Sequence, residues 1–160
     1  MAPRNIHHNF FIDNYSPQES VDNDDGSGYY LTHDNFMVYG GKGLKSDFGG
    51  HDNHHYGNIY AFAVCAISDN TIQIDGHEDS FYENTVIMTG EDVGVLRCDP
   101  PGKSVLYDNR YYTPTGEVSE CGMTLEEWQK ISPENDPNST VDTWPTTEYI
   151  LGLARKKLDF

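Results

Sequence analysis

The sequence predicts an all-β fold: a right-handed parallel β-helix of about five coils, with a C-terminal loop-and-helix cap. Three observations carry that prediction. An asparagine returns at near-constant spacing, each asparagine precedes a short β-branched or aromatic run, and Gly- or Pro-rich turns separate the runs. The five segments are His8-Asn9-Phe10-Phe11-Ile12, Asp34-Asn35-Phe36-Met37-Val38, Gly57-Asn58-Ile59-Tyr60-Ala61, Glu83-Asn84-Thr85-Val86-Ile87 and Asp108-Asn109-Arg110-Tyr111-Tyr112. Their asparagines lie 26, 23, 26 and 25 residues apart.

Each element follows from local chemistry. The runs after asparagine read as strands because branched and aromatic side chains suit a pleated, half-buried surface. Asp25-Gly26, Gly40-Gly41, Gly49-Gly50, Asp75-Gly76 and Pro100-Pro101-Gly102 supply the turns. A period near 25 residues matches one coil of three short strands. Helical solenoids need longer periods and Leu/Ala-rich runs, which are absent. Asparagine at one turn of every coil predicts a ladder, each side-chain amide bonding the next and satisfying turn backbone groups.

The coils are expected over residues 1–118 and a capping segment over 119–160. In the cap, Thr124 and Glu127 have capping-box spacing for a short helix, with Trp128 facing inward. Pro145 to Leu158 reads as a terminal helix over the last coil, with Arg155, Lys156 and Lys157 where the helix dipole favours cations. Repeat-like sequence begins almost at once, without a polar cap. The chain is therefore expected to be the C-terminal portion of a longer protein, and to self-associate through exposed coil ends.

Charge narrows the function. Ten Lys+Arg against 26 Asp+Glu give a net charge of −16. Such a surface repels phosphate backbones and anionic lipid, so neither nucleic acid nor membrane is an expected partner. It also disfavours polyanionic sugars, and neutral carbohydrate fits better. No apolar run reaches the length of a membrane-spanning helix. Cys65, Cys98 and Cys121 form neither a zinc pattern nor a complete disulfide framework. Asn14-Tyr15-Ser16 and Asn138-Ser139-Thr140 are glycosylation sequons at Asn14 and Asn138, which favours an extracellular or secreted setting.

The densest chemistry is Asp22-Asn23-Asp24-Asp25-Gly26-Ser27-Gly28-Tyr29-Tyr30, followed by Gly43-Leu44-Lys45-Ser46-Asp47-Phe48-Gly49-Gly50-His51. Asp24 and Asp47 are 23 residues apart, equal to the spacing from Asn35 to Asn58. Residues one coil apart lie above one another, so the two carboxylates are expected ~5 Å apart on one face, a separation suited to a retaining glycosidase. Lys45 would orient a carboxylate or the sugar. Tyr29, Tyr30 and Phe48 would offer aromatic surface, with His51 beside them.

These two segments resemble the pectate-lyase-like β-helix proteins that include glycoside hydrolases of the β-xylosidase type. There an Asp-Asp-Gly-Ser segment and an acid one coil downstream form the catalytic pair. Trp128-Gln129 with Asp136 and Ser139 is similar to their C-terminal segments. The resemblance implies catalysis by Asp47 with one of Asp22, Asp24 and Asp25. Asp47 stands where the family pattern has Glu.

Two metal readings stand beside this one. Asp22, Asp24 and Asp25 cluster hard oxygens suited to calcium, without the spacing or terminal Glu of an EF-hand loop. His51, His54 and His55 would suit a transition metal, with Asp47 or Asp52 adding an oxygen. Otherwise the residues require no cofactor. Three functions follow: a carbohydrate-active enzyme or part of one, a structural module of a filament or adhesin, and a calcium-dependent polysaccharide lyase. The lyase is disfavoured because few basic residues in the coils could act as the base.

Overall fold

A computed structural model describes residues 3–12, 19–69, 74–99 and 102–159. The chain winds as a right-handed parallel β-helix. The first coil is β1 (Arg4–His7), β2 (Phe10–Ile12) and β3 (Glu19–Asn23), and the second is β4 (Tyr30–His33), β5 (Phe36–Val38) and β6 (Lys42–Ser46). The third is β7 (His54–Tyr56), β8 (Ile59–Ala63) and β9 (Cys65–Asp69), and the fourth is β10 (Ser80–Tyr82), β11 (Thr85–Met88) and β12 (Gly94–Val95). A partial fifth coil contributes β13 (Val105–Tyr107) and β14 (Arg110–Thr113). After it come β15 (Ser119–Glu120), β16 (Met123–Thr124), α1 (Leu125–Ile131), β17 (Thr140–Thr143) and α2 (Thr147–Leu158).

Strands of successive coils pair in parallel, in the orders β1-β4-β7-β10-β13, β2-β5-β8-β11-β14-β17 and β3-β6-β9-β12. The corner joining the first sheet to the second has only two residues between strands, and the asparagine ladder makes it possible. The residue before each asparagine is left-handed, at His8, Asp34, Gly57, Glu83 and Asp108 (φ 54–61°). Left-handed backbone costs a non-glycine residue roughly 1–2 kcal/mol. The asparagines offset this with buried bonds. The backbone N–H groups of Asn9, Asn35, Asn58 and Asn84 each donate to the Oδ1 of the next asparagine at 3.0–3.1 Å. The side-chain amides of Asn35, Asn58, Asn84 and Asn109 donate to the backbone carbonyls of Ile6, Thr32, His55 and Phe81. Ser139 ends the ladder, its Oγ accepting the N–H of Asn109 at 2.7 Å.

Strand alternation fills the coil interior. Phe11, Met37, Tyr60, Val86, Tyr111 and Val141 form one inward column, facing Leu44, Ile67, Phe81 and Leu106 from the other sheets. Outside the first sheet, His7, His33, Tyr56, Tyr82 and Tyr107 stack at 4.6–5.0 Å between centroids, within 11° of parallel.

The tail closes the helix in two ways. The Thr124–Glu127 capping box forms as expected, and α1 buries Leu125 and Trp128. The terminal helix, by contrast, does not lie over the last coil. It packs along β5 and β8, with Ile150, Leu153, Ala154 and Leu158 against Phe36, Ile59, Ala61 and Ile87. The reason is in those strands: they are apolar on both faces, and the outer face needs a cover. Lys157 fixes the helix with a 2.7 Å bond to Asp34. Cys98 and Cys121 are joined in a disulfide, with Cα atoms 6.0 Å apart, while Cys65 is free. No helix among the described residues is long and apolar enough to cross a membrane.

Candidate functional site

Strand register sets the Asp–Asp geometry. Asp22 pairs with Lys45 and Asn23 with Ser46 between β3 and β6, so the next residues, Asp24 and Asp47, also stack. Lys45 sits at the centre. Its Nζ lies 3.0 Å from Asp22, 3.2 Å from Asp24 and 3.3 Å from Asp47. Burial alone would lower the Lys45 pKa, but its bonds to the three carboxylates hold it above the usual lysine value. Asp24 is held below the usual aspartate value, first by its hydrogen bond with Asp47 and then by Lys45. Asp24 is therefore ionised at neutral pH, which suits a nucleophile or a hydrogen-bond acceptor and not a general acid.

Asp25 joins from the turn. Its backbone N–H donates to Asp47 Oδ1 at 3.3 Å. Asp24, Asp25 and Asp47 each bring an oxygen within 4.8 Å of the others. The turn carrying Asp24 stacks on the one carrying Asp47: the N–H of Gly26 donates to the Asp47 carbonyl at 3.3 Å, and that of His51 to the Ser27 carbonyl at 3.2 Å. This acidic group already holds a cation, the Lys45 ammonium.

The aromatic residues divide. Phe48 follows Asp47 directly, left-handed at φ 46° and 79% exposed. No aromatic ring among the described residues stacks on it. Tyr39 and Phe62, also left-handed, stack on one another at 5.5 Å. Tyr29 meets the edge of His51 at 5.2 Å. Tyr30 turns to Arg4, whose guanidinium lies 5.2 Å from its ring centre. Comparisons with protein-family models, curated proteins and solved structures gave no match. The β-xylosidase-type resemblance thus rests on its short segments alone, while the parallel β-solenoid stands on the structure itself.

The three expected metal histidines do not converge. His55 is fully buried, bonded to Tyr60 Oη and Asn23 Oδ1 at 2.9 Å, and burial pushes its pKa down to about 3. Its neighbour His54 points to the other face of the strand, against Tyr82. His51 instead shares Asp52 with His77, one coil on. Of the sequons, Asn138 is exposed and left-handed in a turn, and Asn14 lies outside the described residues.

Sequence reasoning missed two further groupings. Cys98 and Cys121 are separated by 23 residues, one coil length, so the stacking argument used for Asp24 and Asp47 would have paired them. Glu120 and Asp136 are buried beside Tyr111, whose hydroxyl donates to Asp136 at 2.9 Å. Burial, then the adjacent Asp136 charge, pushes Glu120 up to about 9. Periodicity carries no signal for this pair, because Glu120 and Asp136 lie beyond the repeat.

Proposed function

We propose that the exposed face formed by Asp22, Asp24, Asp47, Lys45 and Phe48 binds a neutral carbohydrate. One observation carries the reading. Phe48 sets a largely exposed ring on a left-handed turn, beside a charged cluster whose exposed Asp22 and Asp24 carboxylates offer acceptors. The left-handed backbone belongs to a hydrogen-bonded turn, in which the Gly50 N–H donates to the Asp47 carbonyl at 3.0 Å as the Ser27 N–H does to Asp24 one coil earlier. The turn needs no phenyl ring there, and nothing covers it. An aromatic face for sugar C–H groups, with carboxylates held in place by Lys45 to accept from the hydroxyls, is the chemistry neutral sugars need. The net charge of −16 excludes none of them, and the disulfide and the exposed Asn138 support an extracellular setting.

Binding of neutral oligosaccharides by calorimetry tests this. Phe48→Gly should weaken it about 10-fold or more, equivalent to ~1.4 kcal/mol. The same substitution relieves left-handed strain and should raise stability by ~0.5–1 kcal/mol. A binding loss with a stability gain separates a ligand-facing ring from a structural one. Unchanged affinity would refute the reading.

Hydrolysis by the same residues is the finer version, favoured by the in-register stacking of Asp24 and Asp47. In it Asp24 is the nucleophile and Asp47 the acid. Asp24→Asn and Asp47→Asn should then each abolish turnover of an activated aryl glycoside. Turnover surviving both changes would leave binding alone. A calcium-dependent lyase is less well supported, since Lys45 occupies the acidic group. A structural-module role, with β-helix ends meeting, is favoured by the solvent-facing Phe10 and Ile12 of the first coil. Concentration-dependent sedimentation tests it.

A further inference from the structure

The imidazoles of His51 and His77 reach the same carboxylate oxygen from adjacent coils. His51 Nδ1 and His77 Nδ1 each lie 2.7 Å from Asp52 Oδ2. The rings meet edge to face, 5.6 Å between centroids. The side chains are 23%, 23% and 45% exposed for His51, Asp52 and His77, so the cluster is open to solvent and held from below.

The fold holds these groups in place. The N–H of Asp52 donates to the His77 carbonyl at 3.4 Å, tying the two turns together. Asp52 is left-handed at φ 53°, which turns its carboxylate toward both rings. His51 packs closely against Gly28, where a Cβ would come within 3.2 Å of its Cε1 and Nε2. Gly28 and His51 also form a parallel bridge. Two imidazole nitrogens and one carboxylate oxygen are thus gathered within 4.8 Å of one another on two stacked turns.

We propose that His51, Asp52 and His77 bind a divalent transition-metal ion of the zinc type, linking the third and fourth coils. The donor set decides the class of ion. Imidazole suits Zn²⁺, Ni²⁺ or Cu²⁺, whereas Ca²⁺ takes oxygen ligands almost alone. A tetrahedral zinc with bonds near 2.1 Å needs ligand atoms about 3.4 Å apart. From 2.7 Å, half-exposed side chains need open by only ~0.7 Å. The ion takes the place of the Nδ1 protons that bridge to Asp52: each ring binds as neutral imidazole through Nδ1 and carries its proton on Nε2. Three protein ligands leave a fourth position for water. The strongly acidic surface raises the local cation concentration.

Calorimetric titration of the whole chain with Zn²⁺ at pH 7.5 tests this, with Co²⁺ absorption reporting coordination. The expected result is one tight equivalent, a rise in Tm, and the intense visible bands of four-coordinate Co²⁺. Ca²⁺ should give none of these. His77→Ala removes an exposed ligand and should weaken binding at least ~100-fold, since outer-shell changes alone cost roughly 10–100-fold. Asp52→Asn should weaken it less. Far-UV circular dichroism of the His77→Ala chain should match the parent, separating ligand loss from unfolding. The rival histidines are His7 and His8, whose Nδ1 atoms lie 2.8 Å apart. Zinc binding that survives His77→Ala, disappears with His7→Ala/His8→Ala, or is absent from the parent chain overturns the proposal.

Discussion

Replacing Asn58 by Ala tests the ladder at its central coil, where the side chain is buried. The Asn58 side chain accepts from the N–H and Nδ2 of Asn35 at 3.1 and 3.0 Å. It donates to the Thr32 carbonyl at 2.8 Å and to Asn84 Oδ1 at 3.1 Å. Asn84 Oδ1 keeps the Asn58 backbone N–H, and Asn35 Nδ2 keeps the Ile6 carbonyl. The change therefore strips the side-chain partner from the buried Asn35 N–H and from the Thr32 carbonyl. At ~1–3 kcal/mol for each orphaned group, the loss should be about 2–6 kcal/mol. For a fold with roughly 5–15 kcal/mol of stability, that is a large fraction. Urea unfolding measures it as a lower midpoint at unchanged slope. Asn9→Ala is the control, because Asn9 is exposed at the first coil and serves the ladder as a donor to Asn35. It should cost no more than ~1 kcal/mol. Equal losses from the two changes, or less than ~1 kcal/mol from Asn58→Ala, would refute the account.

Two other outcomes follow. Glu120 titrates at about 9 in the folded chain against an ordinary value of 4.5, so the fold favours its protonated form. Its contribution is complete below pH 4.5 and is lost as pH rises towards 9, roughly 3 kcal/mol of it by pH 7. Thermal unfolding across pH should show that decline, and Glu120→Gln should flatten it; superimposable profiles would contradict the assignment. Reducing the Cys98–Cys121 bridge, which spans 23 residues, should lower stability by about 3 kcal/mol in urea titrations. An unmoved midpoint on reduction would show that the bridge adds nothing.

The coil architecture was legible because its signal is both local and periodic. A two-residue corner tolerates few solutions, and asparagine satisfies it at five successive coils, so the spacing alone exposed the ladder. The Asp24–Asp47 stack was legible for the same reason. Lys45 was named, but its position among three carboxylates was not, because a side chain's reach is not written in the period. The helix after Pro145 was recognised and misplaced. Its apolar stripe says that it covers something, whereas only the doubly apolar strands Phe36–Val38 and Ile59–Ala63 say what. The histidines failed through strand alternation. His54 and His55 are neighbours in sequence, so a strand sends them to opposite faces, while His51 and His77 are neighbours by coil.

That last contrast follows from how coil length varies. Between β3, β6 and β9 the partners differ by 23 residues, as they do between β4 and β7. Between β7 and β10 they differ by 26. The three additional residues lie in the connection from β9 to β10, after the third sheet and before the first. Asp24 and Asp47 are counted forward from β3 and β6, and take the shorter register. His51 and His77 are counted back from β7 and β10, and take the longer one. One set of turns therefore carries two registers, and no single period aligns both pairs. Shortening the β9–β10 connection by three residues ahead of His77 would leave Asp24, Lys45 and Asp47 in register. It would also bring the connection to the length of its β6–β7 counterpart, with His77 still three residues ahead of β10 as His51 is of β7. The acidic face and the His–Asp–His cluster share the β6–β7 connection, which carries Asp47, His51 and Asp52, whereas only the cluster uses the β9–β10 connection. A change between His77 and β10 should therefore move the cluster and leave the acidic face in place.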